Sequence, residues 1–176
     1  MKYCIFITVL LFSGCCGCGS RDRYCLNLGN LQLSVYDNRD SIPRLADTQV
    51  LTSAFYLELV LNKEQKICFI RNNTILANNA YATSCEYEKY SQLDTITEIT
   101  LVCDRDYAPG YPAGTPLNIL FSMPSPEELN EAKPNETFRL YPKQEPTDTG
   151  SYIFSVNILA HNSLLQAIAC PVNIIQ

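Results

Sequence analysis

His161 is the chain's single histidine, so any serine or cysteine nucleophile would have to take its proton acceptor from that one position. It stands next to Asn162 between two apolar runs, where a hairpin turn is expected, and no Gly-x-Ser-x-Gly elbow presents a serine to it. Glycoside hydrolysis would need two carboxylates facing across a groove, and Glu58, Glu86, Glu88 and Glu98 fall on separate strand-like segments. Asp104-x-Asp106 supplies oxygen ligands after a strand, but calcium needs six or more, so a solvated turn is expected there. Cys16, Cys18 and Cys25 lack the close Cys-x-x-Cys pairing of structural zinc. With no phosphate-cradling glycine loop or dinucleotide fingerprint either, the expectation is no catalytic residue, no metal and no cofactor.

The aromatic residues remain. Tyr81, Tyr87, Tyr90, Tyr107 and Tyr111 crowd the middle of the chain, with Pro109 and Pro112 among them. Exposed tyrosine offers rigid, amphipathic contact area. A binding loop at Tyr107 and Tyr111 is therefore the expectation for a glycan or protein partner, set against tyrosines that merely cover a sheet edge.

Period-two alternation dominates the elements that would hold such a loop. Leu31, Leu33 and Val35 alternate, as do Phe55, Leu57, Leu59 and Leu61, with Tyr56, Glu58 and Val60 on the opposite face. Further strands are expected over 66–71, 95–103, 137–141, 151–159 and 164–175. Breaker pairs separate them, including Asp37-Asn38, Asn78-Asn79, Pro109-Gly110 and His161-Asn162. Ser125-Pro126-Glu127-Glu128 is a helix start with a capping box, and Pro134 limits that helix to about two turns. The fold class is all-β: an antiparallel sandwich of about seven strands with one short helix.

Composition supports one folded domain, since 47% of residues are apolar and 18% charged. A net charge of -5, with Lys and Arg scattered singly, excludes a nucleic-acid partner, which needs a basic footprint. Five domain cysteines, Cys25, Cys68, Cys85, Cys103 and Cys170, leave one unpaired or paired elsewhere. Spacing does not choose among the pairings.

The head of the chain is more specific. Lys2 precedes the apolar run from Ile5 to Phe12, followed by Ser13, Gly14 and Cys15, which is the order of a signal peptide. The run is too short to span a bilayer core, which takes about 20 residues. Leu11-Phe12-Ser13-Gly14-Cys15 resembles the bacterial lipobox, with Phe12 where leucine is commonest. The resemblance implies cleavage after residue 14 and lipidation of Cys15. Lipid chains would then anchor the protein, residues 15–23 would form a flexible tether, and the sandwich would occupy 24–176.

Two further resemblances follow. Asp148-x-Gly150-x-Tyr152-x-Phe154 is similar to the tyrosine corner of immunoglobulin-type sandwiches, and implies a Tyr152 hydroxyl bonded to backbone a few residues upstream. Phe154 replaces that family's second inter-sheet cysteine, and the chain has no Trp. The whole chain resembles a family of uncharacterised lipoproteins from gut-type Gram-negative anaerobes. The resemblance is carried by Ser13-Gly14-Cys15-Cys16-x-Cys18, by 94–101 (DTITEITL) and by 150–156 (GSYIFSV). It implies a cell-envelope address, the outer membrane foremost, and O-glycosylation at Ser41 and Thr95 in their Asp-Ser/Thr-apolar triplets. The sequons at Asn72 and Asn135 are taken as coincidence. The function expected is a non-enzymatic, membrane-anchored binding or structural module, with a carbohydrate-binding accessory of glycan uptake and an envelope hydrolase as alternatives.

Overall fold

The computed structural model describes residues 24–46, 48–67, 90–92, 94–161 and 163–176. The signal peptide, the tether with Cys15, and the positions of Cys68, Tyr81, Cys85, Glu86, Tyr87 and Glu88 lie outside the described residues. The strands, in chain order, are β1 (Tyr24–Asp37), β2 (Arg44–Leu45), β3 (Gln49–Leu51), β4 (Phe55–Ile67), β5 (Tyr90–Gln92) and β6 (Ile96–Cys103). After the helix α1 (Pro126–Glu131) come β7 (Glu136–Leu140), β8 (Gly150–Tyr152), β9 (Phe154–Ala160), β10 (Ser163–Ile168) and β11 (Val172–Ile175). Seven of these strands, β1, β4, β6, β7, β9, β10 and β11, have four residues or more. The fold is an all-β sandwich.

One sheet runs β2-β1-β4-β7, with β5 parallel on β1. A second runs β10-β9-β6, and a third, smaller sheet runs β3-β11-β8. The alternation seen in the sequence has the expected cause. Leu33 and Val35 of β1 and Leu57, Leu59 and Leu61 of β4 are buried against Ile99 and Leu101 of β6 and Val156 and Ile158 of β9. Successive side chains leave a strand on opposite faces, so one apolar parity builds one core. The long β1–β4 pairing slips between Leu28 and Leu31. A Cβ on Gly29 would sit 2.8 Å from the Asn62 carbonyl oxygen, so this irregularity needs glycine.

Two strands expected to be continuous are broken. The stretch over 151–159 divides at Ile153, and that over 164–175 at 169–171. On either side of each break the chain belongs to a different sheet. Asp104 holds the first switch, accepting the Ile153 N–H on Oδ1 at 2.7 Å while its own N–H donates to the Ile153 carbonyl at 3.1 Å. The second contains Pro171, which has no N–H for a ladder.

Lys63 continues the inward parity of β4 yet is charged. Its Nζ donates to the carbonyls of Leu129 (2.8 Å), Asn130 (3.1 Å) and Ala132 (2.8 Å) around the end of α1. Terminal helix carbonyls lack partners within the helix and favour a cation. The other end carries the expected capping box: the Glu128 N–H donates to Ser125 Oγ at 3.2 Å, and the Ser125 N–H donates to Glu128 Oε2 at 2.7 Å. The segment between β6 and β7 also covers the outer edge of β6. Asn118 accepts from Leu101 N and donates to the Ile99 carbonyl, and Asn130 bonds both backbone groups of Ile96. Side-chain amides thus blunt an edge that would otherwise invite another strand.

Candidate functional site

The structure puts Tyr107 inside the protein. The ring is fully buried against Phe121, Tyr152 and Phe154, and its hydroxyl donates to the Gln144 carbonyl at 2.9 Å. Burial pushes its pKa well up. An exposed contact surface at this side chain is therefore corrected: the loop after β6 folds back over the end of the core, taking Tyr107 with it. Tyr111 is half-buried, and its N–H and carbonyl close a turn with Ala108 and Tyr107.

The remaining candidates separate cleanly. Asp106 accepts the Ala113 N–H on Oδ1 at 2.9 Å, so both Asp104 and Asp106 tie backbone in place. Among the described residues no cluster of three or more His, Cys, Asp or Glu could hold a metal. His161 is exposed in the β9–β10 turn, with its backbone N–H donating to the Thr95 carbonyl. Glu58 and Glu98 lie in different sheets. Ser41 and Thr95 are both exposed. Cys25 is disulfide-bonded, while buried Cys103 and exposed Cys170 are free thiols. Burial raises the Cys103 pKa, and its thiol donates to the Arg105 carbonyl.

A different group of aromatic residues comes together on the outer face of the β2-β1-β4-β7 sheet. Register places Leu45 opposite Tyr36 and Tyr36 opposite Tyr56, and the Leu57–Leu140 pair brings Tyr141 alongside Tyr56. Tyr36 and Tyr56 stack with centroids 5.3 Å apart and planes 8° from parallel, and Tyr141 follows at 5.2 Å, tilted by 40°. One step along the strands lies a polar row, Ser34, Glu58 and Arg139. The Arg139 guanidinium lies 5.6 Å from the Tyr56 ring centroid and its Nε 3.9 Å from Glu58 Oε2. Tyr56 is 2% exposed, covered by its neighbours, whereas Tyr141 is 43% exposed and is the ring left open.

The electrostatics follow from this packing. Burial, then the Glu58 carboxylate, raises the Tyr36 pKa, and burial raises that of Tyr56. A hydrogen bond with Tyr141 leads the upward shift of Arg139. Two grooves include residues that neighbour the row, Leu45 in one and Arg139 in the other. One, of about 490 Å³, is lined by Asp37, Arg39, Asp40, Arg44 and Leu45. The other, of about 530 Å³, has Met123, Phe138 and Arg139 in its lining together with Glu128, Glu131 and Glu136. Arg39 holds the Asp37 carboxyl below its ordinary pKa, chiefly through its side-chain hydrogen bond. The face therefore offers an open aromatic ring, a carboxylate acceptor and a guanidinium donor on a rigid sheet. Such a set can stack one face of a ligand and bond its hydroxyl edge. Sequence reasoning placed Tyr56 and Glu58 on one strand face and missed the row, because the partners arrive from β1 and β7.

The architecture defines an all-β sandwich domain carrying one aromatic-polar face. Residues 28–162 match the family described as Domain of unknown function (DUF5034), and the chain belongs to that family. No curated protein and no solved structure matches the chain. Among the described residues no helix is long and apolar enough to cross a membrane.

Proposed function

We propose that the chain is a non-enzymatic binding module of the bacterial cell envelope, anchored through lipid on Cys15, whose ligand docks on the Tyr36–Tyr56–Tyr141 face. The observation that carries the binding role is that row, with Tyr141 open beside Arg139 and Glu58. The anchor rests on the lipobox resemblance of 11–15, and the outer membrane is its proposed address.

The domain is proposed to be of immunoglobulin type. In support, β1-β4-β7 and β6-β9-β10 reproduce the A-B-E and C-F-G orders of that architecture. The Tyr152 hydroxyl donates to the Asp148 carbonyl at 2.8 Å, the bond of a tyrosine corner.

A glycan is the ligand class that this chemistry favours, which makes the carbohydrate-binding accessory the more specific form of the proposal. Sugar rings present apolar C–H faces to aromatic rings and hydroxyls to carboxylate and guanidinium groups. The test is retention of the full-length protein on a panel of immobilised oligosaccharides, beside Tyr141→Ala. Retention that falls about tenfold in the variant is the expected result, matching a loss of ~1.4 kcal/mol. Equal retention of both proteins, or of neither, would remove the glycan reading.

A further inference from the structure

β7 pairs with β4, and among the described residues no strand pairs with it on its other side. Just beyond β7 that outer edge is occupied by the chain itself. Ser122 donates its N–H to the Tyr141 carbonyl at 2.9 Å and accepts the Tyr141 N–H on Oγ at 2.8 Å, while the Lys143 N–H donates to the Leu120 carbonyl. Residues 120–122 therefore run antiparallel beside 141–143. In an antiparallel ladder the backbone groups of alternate residues point to the same side, so Thr137 and Arg139 aim theirs away from β4, as Tyr141 does. The 120–122 segment stops short of both, because the chain turns off through Pro124, which has no N–H, to enter α1. Between β7 and α1 it leaves a groove of about 530 Å³.

We propose that this groove takes an extended, basic peptide segment of a partner protein, added antiparallel to β7 as a further strand along the line that residues 120–122 leave. The extended form follows from the edge. Main-chain hydrogen bonds give an added strand its affinity, and side-chain pockets give it selectivity. At a rise of ~3.4 Å per residue, Glu136 to Arg139 offers length for about four residues.

The basic side chain follows from charge. Glu128 and Glu136 are held in place by accepting the Ser125 and Lys133 N–H groups on Oε2, at 2.7 and 2.6 Å, and Glu131 is exposed. Of the two cations in the lining, Lys133 and Arg139, the second turns its guanidinium to the Tyr56 ring and Glu58 on the outer face. Carboxylates thus prevail in the groove, on a chain whose net charge of -5 also draws a basic partner. Phe138 and Glu136 share one parity of β7, so alternate residues of the added strand meet first an apolar and then an acidic neighbour. A valine-like side chain beside Phe138 and Met123 puts the residue two positions on, a lysine or arginine, beside Glu136. The proposal uses the Arg139 backbone and does not depend on what the tyrosine face binds.

The test is fluorescence anisotropy of a fluorescein-labelled peptide, Thr-Val-Thr-Lys-Thr-Val-Thr, titrated with the full-length protein. Saturable binding is expected. N-methylation of the inner threonines, which removes the N–H groups that face Thr137 and Arg139, should weaken it about tenfold. Glutamate in place of the peptide's lysine should weaken it by a similar factor. In the protein, Thr137→Pro removes one outward N–H where an edge strand tolerates proline, and should also weaken binding several-fold. Glu131→Lys, at an exposed position, gives the same direction without touching the strand. Equal binding of the N-methylated peptide would overturn the proposal by leaving charge attraction alone, as would indifference to Glu131→Lys or the absence of saturable binding.

Discussion

The two outer faces of this sandwich are built from opposite materials. On the β2-β1-β4-β7 sheet, three tyrosines, a glutamate and an arginine satisfy one another across strands, leaving Tyr141 open. On β9–β10, leucine, isoleucine and amides stand in water with no charge among them. Polar groups in fixed directions select a ligand by geometry, while a neutral aliphatic surface gains only by being covered. On that contrast the proposed ligand recognition rests on the first face.

That comparison can be broken at the aromatic row first. Tyr56→Ala should cost about 3–5 kcal/mol of stability, since the ring is enclosed although it lies on an outer face. A shift in urea midpoint well under 1 M would show that the row is loosely held and unfit as a rigid site. Next is Gly150→Ala, between the two faces at the sheet switch. Its φ is +135°, and a new Cβ would fall onto the Arg105 guanidinium. A loss of about 2–3 kcal/mol is expected by thermal unfolding. Unchanged stability would mean both that Arg105 swings away from Tyr152 and that the backbone at 150 relaxes from this φ.

Lys63 sharpens the contrast from the interior. Burial lowers its pKa from 10.5 to about 8, with Glu136 opposing. Below about pH 8 the folded and unfolded chains both hold that proton; between about 8 and 10.5 the unfolded chain binds more of it, so stability should rise with pH across that window. Urea midpoints at about pH 7 and pH 9.5 should show this rise, and Lys63→Met should flatten it. Smallest in stability is Leu164→Glu, expected within about 0.5 kcal/mol of the unsubstituted protein because the residue is exposed. A larger loss by calorimetry would mean that Leu164 is packed rather than exposed.

Much of the fold was legible because strand burial is written in single residues. Phe55, Leu57, Leu59 and Leu61 announce β4, Ser125 to Glu128 announce α1, and Asp148, Gly150 and Tyr152 announce the corner bond. The sheet switches were not legible, because the break at Ile153 depends on a carboxylate 49 residues away. Lys63 was not legible for the same reason, since its acceptors lie at the end of a helix 66–69 residues on. Of the binding loop expected at Tyr107 and Tyr111, the exposure of Tyr107 was misjudged. Tyr107 stands among Pro and Gly and looks exposed in sequence, yet its loop closes over the core. The row of Tyr36, Tyr56 and Tyr141 exists only through the long-range registers of β1 with β4 and β4 with β7.

The proposed envelope address is tested most directly by intact mass with membrane fractionation of the full-length protein, beside Cys15→Ala. The account predicts cleavage before Cys15, an added acyl mass and membrane association, with the substituted chain unacylated and released to the soluble fraction. Native protein that is unacylated and soluble would contradict it.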